Sequence, residues 1–109
     1  MEGLEVAVEE AREWMTGMEA PRVIDCREAD EWEICRLENA ELLPLSEFAQ
    51  RYREVLGNPE EAVLIYCHHG VRSLHAARWL AAQGYSGVRS LAGGIDAWSR
   101  VIEPGMSRY

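Results

Sequence analysis

The chain has 109 residues, 48% of them hydrophobic and 28% charged, a size and balance suited to one soluble domain around one core. Its formal net charge of −8 gives no long-range attraction to nucleic acid or to an anionic membrane, so neither is an expected partner. No run approaches the roughly 18 consecutive apolar residues that a membrane helix needs. The opening Met1-Glu2-Gly3-Leu4-Glu5 lacks the basic start and apolar stretch of a secretory leader, which leaves the cytoplasm as the expected compartment.

Leu4, Ala7, Val8, Ala11 and Met15 recur at helical spacing with Gly17 just beyond, and predict a first helix. Pro21 breaks that pattern, and Val23-Ile24-Asp25 reads as a short buried strand. Residues 29–34 predict one or two helical turns, followed by an extended piece at Leu42-Leu43-Pro44. Ser46 with Glu47 opens a helix that carries Phe48, Tyr52, Val55 and Leu56 inward and closes at Gly57. Residues 62–66 form the clearest strand, and a helix over 73–83 follows and stops at Gly84. Val88-Arg89-Ser90-Leu91 predicts another strand, after which Gly93-Gly94 turns the chain into a short helix around Ile95-Asp96-Ala97-Trp98.

Short apolar strands alternating with helices predict an α/β fold, with a mostly parallel sheet of about five strands covered on both faces. No linker or repeat divides it, so residues 1–109 are expected to form one domain. In such sheets the ligand crevice lies at the carboxyl ends of the strands. Cys67 and Asp25-Cys26-Arg27 both fall there.

The chemistry concentrates in Cys67-His68-His69-Gly70-Val71-Arg72-Ser73, where a strand runs into a short polar loop and then a helix. Backbone N–H groups of such a loop, together with a helix N-terminus, stabilise negative charge. Gly70 permits the positive φ that aims successive N–H groups inward. A free thiol titrates at about 8.5, and settings of this kind lower it to between about 3.5 and 7.5. A two-unit drop corresponds to roughly 2.7 kcal/mol of thiolate stabilisation, within reach of a few amides and of Arg72 if it turns toward the loop. A small buried thiol at a strand end is the other reading of Cys67. The polar loop that follows directly favours the reactive one.

Three cysteines without paired spacing read as thiols, not as a disulfide framework. Cys26 should end a strand beside the one carrying Cys67. It is read as a core filler, with a thiol that resolves a covalent adduct of Cys67 or forms a disulfide with it as the alternative. Cys35 lies on a polar stretch and is read as a surface residue. His68 and His69 are placed at the pocket mouth without a metal, since adjacent residues do not readily face one ion and no second cluster has ligand spacing. His75 is read as a similar neighbour or an exposed residue. Asp25 and Arg27 are read as a structural ion pair, Gly93-Gly94 as a turn near the site and not a phosphate loop, and Trp14, Trp32, Trp79 and Trp98 as core or rim.

By these segments the chain resembles the rhodanese-like domains over nearly all its length. The active-site signature resembles Cys67 to Ser73, the N-terminal motif Asp25-Cys26-Arg27-Glu28 with residues up to Trp32, and the C-terminal motif Leu91-Ala92-Gly93-Gly94-Ile95-Asp96-Ala97-Trp98. The resemblance implies a three-layer fold and a sulfurtransferase with no cofactor and no metal. Cys67 would be the catalytic nucleophile, taking sulfane sulfur from thiosulfate or a persulfide donor. Cyanide, a thiol or an acceptor protein would then receive it. His68, His69, Gly70, Val71, Arg72 and Ser73 would bind the substrate or persulfide, Arg72 attracting the anionic donor. Phosphatase relatives carry one more residue between cysteine and arginine than the four here, so the shorter loop favours sulfur over phosphate. A non-catalytic rhodanese-like module and a small phosphatase or arsenate reductase are the alternatives. Where many members have Gly-His-Ile this chain has Cys35-Arg36-Leu37, and Cys26 stands where many have a hydrophobic residue.

Overall fold

The computed structural model describes residues 3–109; Met1 and Glu2, which open the stretch read for a leader, lie outside the described residues. In chain order the elements are β1 (Glu5–Val6), α1 (Val8–Met15), β2 (Arg22–Asp25), α2 (Ala29–Ile34), β3 (Glu41–Leu42), α3 (Leu45–Val55), β4 (Val63–Tyr66), α4 (Val71–Ala82), β5 (Val88–Leu91) and α5 (Gly94–Val101). The strands form one sheet in the order β1-β5-β4-β2-β3, and every pairing is parallel. Among the described residues no helix is long and apolar enough to cross a membrane.

Side chains alternate across a strand, so each central strand supplies both faces. Ile24, Cys26, Val63, Ile65 and Cys67 pack with Phe48 and Tyr52 of α3 and Ala76, Ala77 and Leu80 of α4. Val23, Leu64, Tyr66 and Leu91 pack with Val8 and Ala11 of α1 and Ile95 and Trp98 of α5 on the other side. Strands buried on both faces have to be apolar throughout, and β4 is Val-Leu-Ile-Tyr, fully buried.

The extended piece expected at 42–44 pairs as β3 at Glu41–Leu42, and the helix boundaries depart from the sequence expectation as well. The first helix begins at Val8, not near Leu4: Ala7 is extended, and Glu5 and Val6 pair with Ser90 and Leu91 at the sheet edge. The edge of β5 offers backbone partners to that segment, and these outweigh a helical spacing that Leu4 shares by coincidence. Helix α3 starts at Leu45 behind Pro44, and the Ser46 hydroxyl bonds the Glu28 carboxylate instead of capping its own helix. Helix α4 starts at Val71, two residues early, which brings Arg72 and Ser73 into its first turn. Helix α5 continues to Val101.

Two contacts lock the carboxyl ends of the strands. Arg27 and Asp25 form a fully buried pair: Nε donates to Oδ1 at 3.0 Å, Nη2 to Oδ2 at 2.7 Å, and the Arg27 amide to Oδ1 at 2.9 Å. The ion-pair reading of these residues therefore holds. The entry to α5 lies against the end of β4, where the Ile95 and Asp96 amides donate to the Cys67 and His68 carbonyls at 2.9 and 3.0 Å. Gly94 has φ +63, and a Cβ there would meet the His68 oxygen at 2.4 Å and the Cys67 oxygen at 2.6 Å. Gly93-Gly94 is thus a turn near the site, as read from the sequence.

Asp25→Ala leaves a buried guanidinium unpaired and is expected to lower unfolding free energy by about 3–5 kcal/mol in denaturant titration; a loss below about 1 kcal/mol contradicts the pair's structural role. Gly94→Ala is expected to cost more than Gly84→Ala by the same measurement. Both glycines have positive φ, but only Gly94 has backbone within reach of a new Cβ. Equal losses contradict the close approach.

Candidate active site

Strand β4 delivers Cys67 to the carboxyl edge of the sheet, where the chain must turn sharply to enter α4. Gly70 makes that turn with φ +94 and stands at the N-cap of the helix. A side chain at position 70 would crowd the Gly93 nitrogen at 3.0 Å and the Leu91 oxygen at 3.2 Å, so the loop lies tight against the start of α5.

The turn wraps the backbone around the sulfur. The Gly70 amide donates to Cys67 Sγ at 3.1 Å and the Ser73 amide at 3.3 Å. Ser73 Oγ lies 3.5 Å from the same sulfur and 2.7 Å from Ser90 Oγ, so two buried hydroxyls back the contact. Cys67 itself is 1% exposed. Its thiol is lowered to about 5, chiefly by the neighbouring Cys26 thiol, then by the Ser73 hydroxyl and amide and the Gly70 amide, against the opposing effect of burial. The neighbouring Cys67 and then burial raise the Cys26 thiol, which keeps its proton. The two sulfurs thus divide one proton unequally, with the charge on Cys67.

The other residues of the loop are placed differently from one another. Among the amides expected from His68 to Ser73, those of Gly70 and Ser73 reach the sulfur. Val71 is 76% exposed beside the mouth. Arg72 does not turn freely toward the loop. It forms a two-pronged pair with Glu31 at 2.9 and 2.8 Å, and holds that carboxyl down to about 2. Glu31 also accepts from the Tyr109 hydroxyl at 2.8 Å, and the same hydroxyl accepts from Arg27 Nη1 at 2.9 Å. Arg72 therefore approaches the site with its charge already partnered.

His68 stacks between His69 and Tyr109, with both ring centroids at 3.9 Å. Asp96 completes a group that the adjacent-residue argument missed, since ligand atoms of His68, His69 and Asp96 lie within 4.8 Å of one another. Stacked imidazoles at 28° direct their lone pairs side by side, which is a poor match to the converging donors of a metal site. Asp96 is also engaged by Arg100 at 3.0 Å and Arg108 at 3.1 Å. His75 is exposed on α4. Cys35 is half-buried and not a free surface thiol, because Arg27 Nη1 lies 3.9 Å from its sulfur and Nη2 bonds its carbonyl.

Sequence reading passed over Glu31, Ser90, Asp96 and Tyr109. A small hydroxyl side chain between Arg89 and Leu91 at the carboxyl end of a strand is a usable signal for Ser90. Nothing in the pattern points to Tyr109, whose place depends on where the chain returns after α5.

A sequence profile of the rhodanese-like domain matches residues 7–101. The rhodanese-like/PpiC domain-containing protein 12, chloroplastic, of Arabidopsis thaliana is 34% identical over 94 residues, 84% of this chain and 31% of that protein. The chain thus spans less than a third of that relative's length. Thiosulfate sulfurtransferase GlpE of Coxiella burnetii is 37% identical over 76 residues, 70% of this chain and 69% of that one. Among solved structures, the human single-domain sulfurtransferase TSTD1 superposes with a TM-score of 0.80 at 22% identity, covering 91% of this chain and 97% of its own, a likeness of fold. With a cysteine sulfur held by loop amides at the carboxyl edge of a parallel sheet and a profile match over residues 7–101, the chain belongs to the rhodanese-like domain family.

Proposed function

We propose that the protein is a sulfurtransferase in which Cys67 carries sulfane sulfur from thiosulfate or a persulfide donor to a thiophilic acceptor. The observation that carries this reading is the Cys67 sulfur itself, held by the Gly70 and Ser73 amides and lowered to about 5. A thiolate is the nucleophile that sulfur transfer requires. The relative named thiosulfate sulfurtransferase supports the substrate class.

In the first displacement the Cys67 thiolate attacks the outer sulfur of thiosulfate. A new S–S bond forms, and sulfite leaves with the electron pair of the broken one. The charge then sits on the outer sulfur of a Cys67 persulfide, at the mouth of the amide-lined turn, where fixed dipoles stabilise it without reorganising. In the second displacement cyanide, a thiol or an acceptor protein's thiolate attacks that outer sulfur, and Cys67 departs as the thiolate it was before. Splitting the transfer in two is nucleophilic catalysis, and a low thiol pKa serves both attack and departure. Only four residues separate Cys67 from Arg72, a tight turn that suits a single added sulfur. The Arg72–Glu31 pair leaves little net charge at the mouth, so donor capture rests mainly on the thiolate and the loop.

Incubation with thiosulfate should add one sulfur, about 32 Da by intact mass, which cyanide removes and which Cys67→Ala does not acquire. Hydrolysis of a phenyl phosphate without sulfur uptake would point to phosphatase chemistry instead. A protein with neither activity would be a binding module.

A further inference from the structure

Cys26 has no part in the two displacements above, yet it is the residue nearest in kind to Cys67 and is packed against it. Strands β2 and β4 pair in parallel with Asp25 opposite Tyr66, and the Cys26 amide extends the ladder by donating to the Tyr66 carbonyl at 3.0 Å. The next residue on each strand is a cysteine. Neighbouring strands lie about 4.7–4.9 Å apart, inside the span of about 4.4–6.8 Å that a disulfide requires between Cα atoms. Both side chains point to the same face, into one apolar cluster, where each thiol shifts the other's titration. Both are free thiols. Cys35 packs on the opposite face and is no competitor. Cys26 is completely buried, so Cys67 is the sulfur within its reach.

From this juxtaposition we infer that Cys26 is a second reacting thiol, which attacks the inner sulfur of a Cys67 persulfide, closes a Cys26–Cys67 disulfide and releases hydrosulfide. The step deepens the proposed function and rests on it. Loading changes Cys67 from a charged sulfur that accepts a hydrogen bond into a sulfur bonded to a leaving group, while the negative charge moves to the outer atom. Cys26 supplies the attacking sulfur, and its proton goes to the departing one. Cys67–S–S⁻ and Cys26–SH thus become Cys67–S–S–Cys26 and HS⁻, with charge and atoms conserved. The sulfane sulfur is the oxidant, reduced to hydrosulfide as the two thiols are oxidised to the disulfide. An external dithiol then returns the pair to its starting state. Acceptors compete with Cys26 for the persulfide, so scarcity of acceptor diverts the protein from sulfur transfer to sulfide release.

The test treats the full chain with thiosulfate, with neither thiol nor cyanide present, and follows intact mass and released hydrosulfide. The wild type should release one equivalent of hydrosulfide and end about 2 Da below its reduced mass, with a peptide linking Cys26 to Cys67. Cys26→Ser, or Cys26→Ala if serine disturbs the core, should hold about 32 Da of added sulfur and release none. A wild type that keeps the added sulfur and releases no more hydrosulfide than the variant overturns this step and leaves the transferase reading intact. No sulfur uptake by the wild type or the variant overturns both. Should neither variant fold, the wild-type mass alone decides.

Discussion

A negative charge on one sulfur, held by backbone amides at the first turn of a helix, is the interaction around which this protein is arranged. Burying an anion is unfavourable unless donors replace its water, and the donors here are the Gly70 and Ser73 amides, with the Ser73 hydroxyl beside them. For these to converge, the chain must leave β4, reverse within three residues and begin α4 at once. Gly70 supplies the backbone conformation, and the early start of α4 brings the Ser73 amide round to the sulfur. The sign of the linkage follows. A thiol lowered by folding stabilises the native state fully above its unfolded value of about 8.5, and that contribution is lost as pH falls through about 5.

A second layer of contacts holds the loop in place. Arg27 joins three parts of the molecule: its guanidinium clamps Asp25, bonds the Cys35 carbonyl and reaches the Tyr109 hydroxyl. That hydroxyl passes the contact on to Glu31, which in turn holds Arg72 in the first turn of α4. The cation of the signature loop is thereby tied to the end of β2 through a chain of charged and polar groups. The buried end of this network, Arg27 with Asp25, is useful only when every member is satisfied, and among the described residues no buried side-chain nitrogen or oxygen lacks a partner.

Much of this was legible in the chain because the physical signals are local. The apolar run of β4 ends in Cys67, and the glycine three residues on can only serve a tight turn. The parallel sheet followed from strands alternating with helices, and its carboxyl edge located Cys67 and Cys26 together. What escaped notice depends on distant partners. Strand β1 is two residues long, too short to show a period of its own, and exists because β5 has a free edge. Cys35 looked like surface from its polar neighbours, but Arg27 draws it inward. Arg72 reads as available to an anion, but Glu31, forty-one residues earlier, pairs with it. The relation between Cys26 and Cys67 was visible as strand neighbours, yet its strength depends on register, which no stretch of sequence displays.

The most direct measurement is the ultraviolet thiolate absorbance of the native protein as pH is varied, with the Cys67→Ser variant subtracted. A sulfur stabilised by the loop predicts a midpoint at about 5. A midpoint at about 8.5, the value of an unassisted thiol, contradicts it.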